Sequence, residues 1–109
     1  MANTYKVLGQ SAATAPNALT SVYTVPAATQ AIVSSVVLCN RGLATTFRLS
    51  IAVAGGIDSA FQYLFYDVAI PAGASYVATL GITLGATDVV RYSSGNGQVS
   101  VNVFGQEIS

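Results

Sequence analysis

Apolar and polar residues alternate along much of this chain with a period of two. Thr46-Phe47-Arg48-Leu49-Ser50-Ile51-Ala52-Val53 turns Phe47, Leu49, Ile51 and Val53 toward a core and Thr46, Arg48, Ser50 and Ala52 away from it. Val99-Ser100-Val101-Asn102-Val103 does the same near the C-terminus. Successive side chains of a strand point to opposite faces, so this is the mark of half-buried β-structure. No stretch carries a helical apolar stripe with start and stop signals. The pattern predicts about eight strands, near residues 4–9, 19–25, 30–39, 45–54, 61–69, 75–82, 87–92 and 98–105. Alanine-rich 12–18, with Pro16, reads as a loop or short arm.

Turn residues fall between the predicted strands. Asn40-Arg41-Gly42, then Gly55-Gly56 with Asp58, then Ser94-Gly95-Asn96-Gly97 each interrupt an apolar run, and Asn-Gly is a strong hairpin signal. A weak internal repeat is also present. Val25-Pro26-Ala27-Ala28-Thr29 and Ile70-Pro71-Ala72-Gly73-Ala74 each join two strands, with Tyr23 and Tyr66 just upstream. Proline presets φ and removes a ladder donor. The repeat fits either the reuse of a good turn or a pseudo-symmetric sandwich with equivalent corners. Short strands at this spacing predict an all-β fold, one antiparallel β-sandwich over residues 1–109, jelly-roll-like or immunoglobulin-like.

Two predicted strands are apolar on both faces. In 61–69, Phe61, Tyr63 and Phe65 oppose Leu64, Tyr66 and Val68; in 30–39, Ile32, Val36 and Leu38 oppose Ala31, Val33, Val37 and Cys39. A two-layer sandwich covers one face of each sheet. The other face needs a loop, an arm or another chain. The candidate interface residues are Tyr63, Leu64, Phe65, Tyr66, Val33 and Val37.

Charge sharpens the picture. The chain is 52% hydrophobic and 7% charged, against about 25% charged in an ordinary soluble domain. Lys6, Arg41, Arg48 and Arg91 balance Asp58, Asp67, Asp88 and Glu107, and there is no histidine. Edge strands are usually guarded by charge, especially lysine; here only Lys6 is present. Such a composition suits a surface covered in an assembly, where charge is depleted and Tyr and Phe are enriched.

The same scarcity argues against chemistry. With no histidine and four scattered carboxylates, the usual acids and bases of catalysis are missing. Asp58 and Asp88 read as loop residues and Asp67 as a partner for an arginine. One cysteine and no spaced acidic loop give no metal set, and no glycine-rich loop precedes Lys-Ser/Thr as phosphate binding requires. Four dispersed cations make no footprint for nucleic acid. Cys39 lies in an apolar run and is expected to be a small buried residue. Residues 1–10 lack the apolar stretch of a secretory signal, and no run approaches the length of a membrane helix.

Several phrases resemble a small family of virion proteins from tailed bacteriophages, notably phages of cyanobacteria and marine bacteria. They are Tyr5-Lys6-Val7-Leu8-Gly9-Gln10-Ser11, Leu19 to Pro26, Ala27-Ala28-Thr29-Gln30, Cys39-Asn40-Arg41-Gly42, Thr45-Thr46-Phe47-Arg48, Leu80-Gly81-Ile82-Thr83-Leu84, Thr87-Asp88-Val89 and Phe104-Gly105. They are turn and strand phrases spread over nearly the whole chain. The resemblance implies a structural role in the virion and brings no active site with it.

The expected function is therefore non-enzymatic and without cofactor: a capsid decoration or cement protein, assembled in the host cytoplasm. It would bind across major capsid protein subunits, or another virion protein, as a homodimer or homotrimer, with no nucleic-acid or membrane partner. One alternative is a tail, neck or fibre-associated adaptor. Another is a carbohydrate-binding module in which Tyr5, Tyr63, Tyr66 or Tyr92 stacks on sugar rings.

Overall fold

Two four-stranded sheets face each other in the computed structural model, which describes residues 3–109. Met1 and Ala2 of the predicted domain lie outside the described residues. The strands are β1 (Asn3–Ala12), β2 (Thr20–Thr24), β3 (Gln30–Asn40), β4 (Thr45–Ala52), β5 (Tyr63–Ile70), β6 (Ser75–Leu84), β7 (Val89–Ser94) and β8 (Val99–Ile108). One sheet has the order β1-β8-β3-β6 and the other β2-β7-β4-β5. Every ladder is antiparallel.

The chain changes sheet at every connection except β4–β5. An immunoglobulin sandwich keeps several consecutive pairs within one sheet, so this order resolves the predicted alternatives in favour of the jelly roll. The two Pro-containing corners are equivalent. Each carries the chain from the β2-β7-β4-β5 sheet to the other, and each has a left-handed residue at the same place, Ala28 (φ 56°) and Gly73 (φ 69°). Val25 and Ile70 anchor the corners in the core.

The interior is filled from both sheets by residues such as Leu38, Leu49, Val90, Val101 and Val103, with Phe47 and Tyr92 the largest. Phe47, Phe65 and Tyr76 stack edge-on or tilted at 5.2–6.0 Å between centroids. They close the side of the sandwich where the edge strands β5 and β6 meet. At the opposite side, buried Tyr23 donates its phenol to Glu107 Oε2 at 2.6 Å, and Lys6 Nζ lies 3.0 Å from Oε1. Segment 13–19 is a loop tied across one end, with Asn17 N–H donating to Ser94 O at 2.7 Å.

Bulges overturn part of the predicted facing. Between Val33 and Ser35 the register of β3 shifts against both neighbours. Against β8 Ser34 is the extra residue, and its hydroxyl donates to Phe104 O at 3.2 Å. An inserted residue reverses the inward–outward parity beyond it. Ala31 and Val33 therefore share the core with Val36 and Leu38, and Val33 is 0% exposed. Contrary to expectation, it is a core residue and not part of an interface. Cys39 points out and is half-buried rather than enclosed. A second bulge falls at Asp67, whose φ is 52°; it keeps Phe65 and Val68 against the core together. Val53 is another departure. The chain leaves β4 after Ala52 and turns through Ala54 (φ 55°), which leaves Val53 exposed.

Candidate functional site

The six predicted interface residues do not form one surface. Tyr63, Leu64 and Tyr66 lie along the outer side of β5, whereas Phe65 turns inward against Phe47 and Tyr76. Val37 lies on the outer face of the other sheet, opposite Asn102 of β8 and Val77 of β6. Two separate surfaces result, on opposite sides of the sandwich.

The first is the outer face of β1-β8-β3-β6. Val36 and Val103 are paired and both in the core, so the flanking pairs Ser35–Phe104 and Val37–Asn102 point out. Following the registers, Tyr5, Val7 and Gln10 of β1 join them, as do Ile32 of β3 and Val77 and Thr79 of β6. None of the described residues on this face is charged. The two charged residues of the sheet, Lys6 and Glu107, are paired with Gly105 and Ala31 on the inner side. Tyr5 (77%), Val77 (62%) and Val7 (45%) are strongly exposed, and Gln10 Nε2 donates to Asn102 Oδ1 at 2.7 Å. Four strands about 4.8 Å apart and about ten residues long give roughly 600 Å² of flat face. That is close to the about 800 Å² each partner commonly contributes to a stable complex. No single segment signalled this surface, because it gathers alternate residues from four distant strands.

The second surface lies on the β2-β7-β4-β5 sheet. Its outer residues Ser50 and Ala52 are 0% exposed, because residues 53–62 fold over them. Here the predicted need for a cover is met by a loop of the chain itself. The loop is pinned by Arg91, which donates to Gly56 O (2.8 Å) and Gly55 O (3.3 Å), and by Ala54 N–H donating to Asp88 Oδ1 (2.9 Å). A 3₁₀ turn at Ala60–Gln62 follows, in which Ser59 and Gln62 cap each other. Gln62 is buried and donates to Ile57 O at 2.9 Å.

Between this loop and β4–β5 is a cleft of about 580 Å³ lined by Arg48, Asp58, Ser59, Ala60, Tyr63 and Tyr66. Arg48 grips Asp67 with two bonds, Nε–Oδ1 at 2.6 Å and Nη2–Oδ2 at 3.1 Å, which supplies the arginine partner expected for Asp67. The left-handed bulge is what aims Asp67 back toward β4. The guanidinium lies 3.9 Å over the Tyr66 ring, a cation–π contact. Tyr66 meets Tyr63 edge-on at 5.1 Å, and Tyr63 donates its phenol to Asp58 Oδ2 at 2.9 Å. That bond raises the Tyr63 pKa, while the bond from Arg48 lowers that of Asp67. In the covering segment 53–62, Ile57 and Phe61 are almost wholly exposed. Of the tyrosines expected to stack on sugars, Tyr92 is excluded, being fully buried, and Tyr5 lies on the opposite face.

Set against protein-family models, curated proteins and solved structures, the chain matches none. Among the described residues no group of three or more His, Cys, Asp or Glu is gathered as a metal site would require.

Proposed function

We propose that this protein is a structural component of a bacteriophage virion, a decoration or cement protein that lays its β1-β8-β3-β6 face on the shell of major capsid protein. The observation that carries the reading is the absence of charge among the described residues of that face, which leaves Tyr5, Val7 and Val77 in water. A lone soluble protein guards such a face with charge. On a shell the contact is repeated many times, so modest individual contacts hold by avidity. The action is mechanical: bridging neighbouring capsid subunits resists the pressure of packaged genome. Association as a homodimer or homotrimer suits the symmetry of such a lattice. The resemblance of its turn and strand phrases to those of phage virion proteins supports the same reading.

The test is the copy number in purified particles, together with rebinding to particles stripped of the protein. Cementing predicts a copy number that follows the number of capsid subunits. It also predicts that Tyr5→Glu and Val77→Glu abolish rebinding while the free protein stays folded. A few copies confined to one vertex would establish the tail or neck adaptor instead.

A further inference from the structure

We propose that the cleft between β4, β5 and the 56–62 loop binds a neutral saccharide. It lies on the opposite side of the sandwich from the uncharged face, so a protein seated by that face presents the cleft to solvent. Its volume, about 580 Å³, falls within the range of about 300–1,000 Å³ usual for small-molecule sites.

Sugars are recognised by aromatic rings that meet their C–H faces and by planar polar groups that pair with their hydroxyls. Both are present here. Tyr63 and Tyr66 supply rings at 84° to each other, and Arg48 and Asp58 supply a donor fork and an acceptor beside them. Arg48 engages Asp67 through Nε and Nη2, and Asp58 accepts Tyr63 at one oxygen. A guanidinium has five N–H groups and a carboxylate about four lone-pair directions, so each keeps capacity for a ligand hydroxyl. Ser59 adds a third hydroxyl-matching group at the loop side.

The arrangement is also fixed in advance. The chain Asp67–Arg48–Tyr66–Tyr63–Asp58 is continuous in bonded or stacked contacts. The loop wall is held by Gln62 and Arg91. Groups already ordered lose little entropy when a ligand arrives. The charge balance selects the class of sugar. One guanidinium stands against two carboxylates, Asp58 and Asp67, which disfavours sialylated, sulfated or phosphorylated ligands.

The experiment uses the whole protein free in solution, so its outcome is independent of docking to a particle. The chain has no tryptophan, and its intrinsic emission therefore reports on tyrosine. It is titrated with neutral oligosaccharides of glucose, galactose, mannose and N-acetylglucosamine, with sialyllactose, and with inorganic phosphate. Emission and backbone amide shifts are followed. At least one neutral oligosaccharide is expected to bind saturably and to shift the amides of residues 58–66. Tyr66→Ala and Asp58→Asn should each weaken it by about tenfold or more, whereas Tyr66→Phe, which keeps the ring, and Tyr5→Ala on the far face should not. Thermal unfolding of each variant shows that the fold is retained. The proposal is overturned if no neutral saccharide shifts these amides at about 10 mM. It is equally overturned if sialyllactose or phosphate binds better, or if binding survives both Tyr66→Ala and Asp58→Asn.

Discussion

Tyr92 of β7 reaches across the interior to Val99 of β8, its hydroxyl 3.1 Å from the Val99 carbonyl oxygen. The same hydroxyl accepts the Ala13 N–H at 2.7 Å. One side chain thus ties one sheet to the other and to the chain leaving β1, with its ring wholly buried. Tyr92→Phe keeps the ring and takes the hydroxyl partner from a half-buried donor, Ala13 N–H, and a buried acceptor, Val99 O. The expected loss is about 1–3 kcal/mol. It should appear as a lower urea midpoint with an unchanged slope; an unchanged midpoint would show that water takes over both bonds.

Stability should be highest at intermediate pH, and the Tyr23–Glu107 hydrogen bond should contribute to both limits. The bond from Tyr23, followed by that from Lys6, holds the Glu107 carboxyl below its ordinary range. The unfolded chain then takes up this proton at higher pH than the folded one. The contribution is complete above about pH 4.3, the ordinary glutamate value, and is lost as pH falls through the depressed folded value. Tyr23 is shifted upward, by burial first and then by Glu107. Its contribution is complete below about pH 10, the ordinary tyrosine value, and is lost as pH rises beyond it. Glu107→Gln should flatten the acid limb and soften the alkaline one when urea midpoints are measured across pH. An unaltered acid limb would place the sensitive carboxylate elsewhere.

The paired corners give opposite predictions for matched substitutions. Ala28 adopts a left-handed conformation that costs an ordinary residue about 1–2 kcal/mol. Replacing it with glycine should stabilise by about 0.5–1 kcal/mol, after the greater freedom of glycine in the unfolded chain is subtracted. Gly73→Ala should destabilise by a similar amount for conformational reasons alone, since a β-carbon there meets nothing within 4 Å. Equal and opposite shifts in thermal midpoint are expected. Shifts of the same sign would show that the corners are not equivalent.

Asp67 combines a left-handed backbone with the grip on Arg48. Asp67→Gly removes the ion pair and relieves the left-handed backbone, while Asp67→Ala removes the ion pair and keeps a β-carbon in that conformation. Alanine should therefore be the less stable of the two. Both should weaken the saccharide binding proposed for the cleft, because Arg48 loses its anchor over Tyr66. An alanine variant as stable as the glycine one would mean that the bulge relaxes without cost.

Strand number and approximate limits were legible in the pattern, since alternation and turn residues are local properties. The equivalence of the corners was visible as one of two readings, and the arginine partner of Asp67 was anticipated. What failed was facing. Ser34 against β8 and Asp67 against β4 each insert one unpaired residue, and neither is a glycine that would have marked a bulge in the sequence. Val33 was consequently assigned to the surface, while Cys39 was placed in the interior on the apolar character of its run alone. The aromatic run at 61–66 did locate the cleft wall. Its loop wall escaped notice because only the turn after Ala52 brings Asp58 beside Tyr63. The uncharged face was legible only as a missing quantity, the low total charge, until the strand order showed where the charges were not.

The pairing of β1 with β8 also governs how the chain reaches this structure. Tyr5 finds its partner Gln106 only across almost the entire chain, and closing so long a loop carries an entropic cost before any contact rewards it. Folding should be slow for a chain of this size, as is usual where non-local pairing dominates. Until β8 arrives, β1 and the flank of β3 stand open with a single lysine between them. Nascent copies are then most exposed to clumping with one another, and yield should depend on how dilute and how cool the chain is kept during its synthesis.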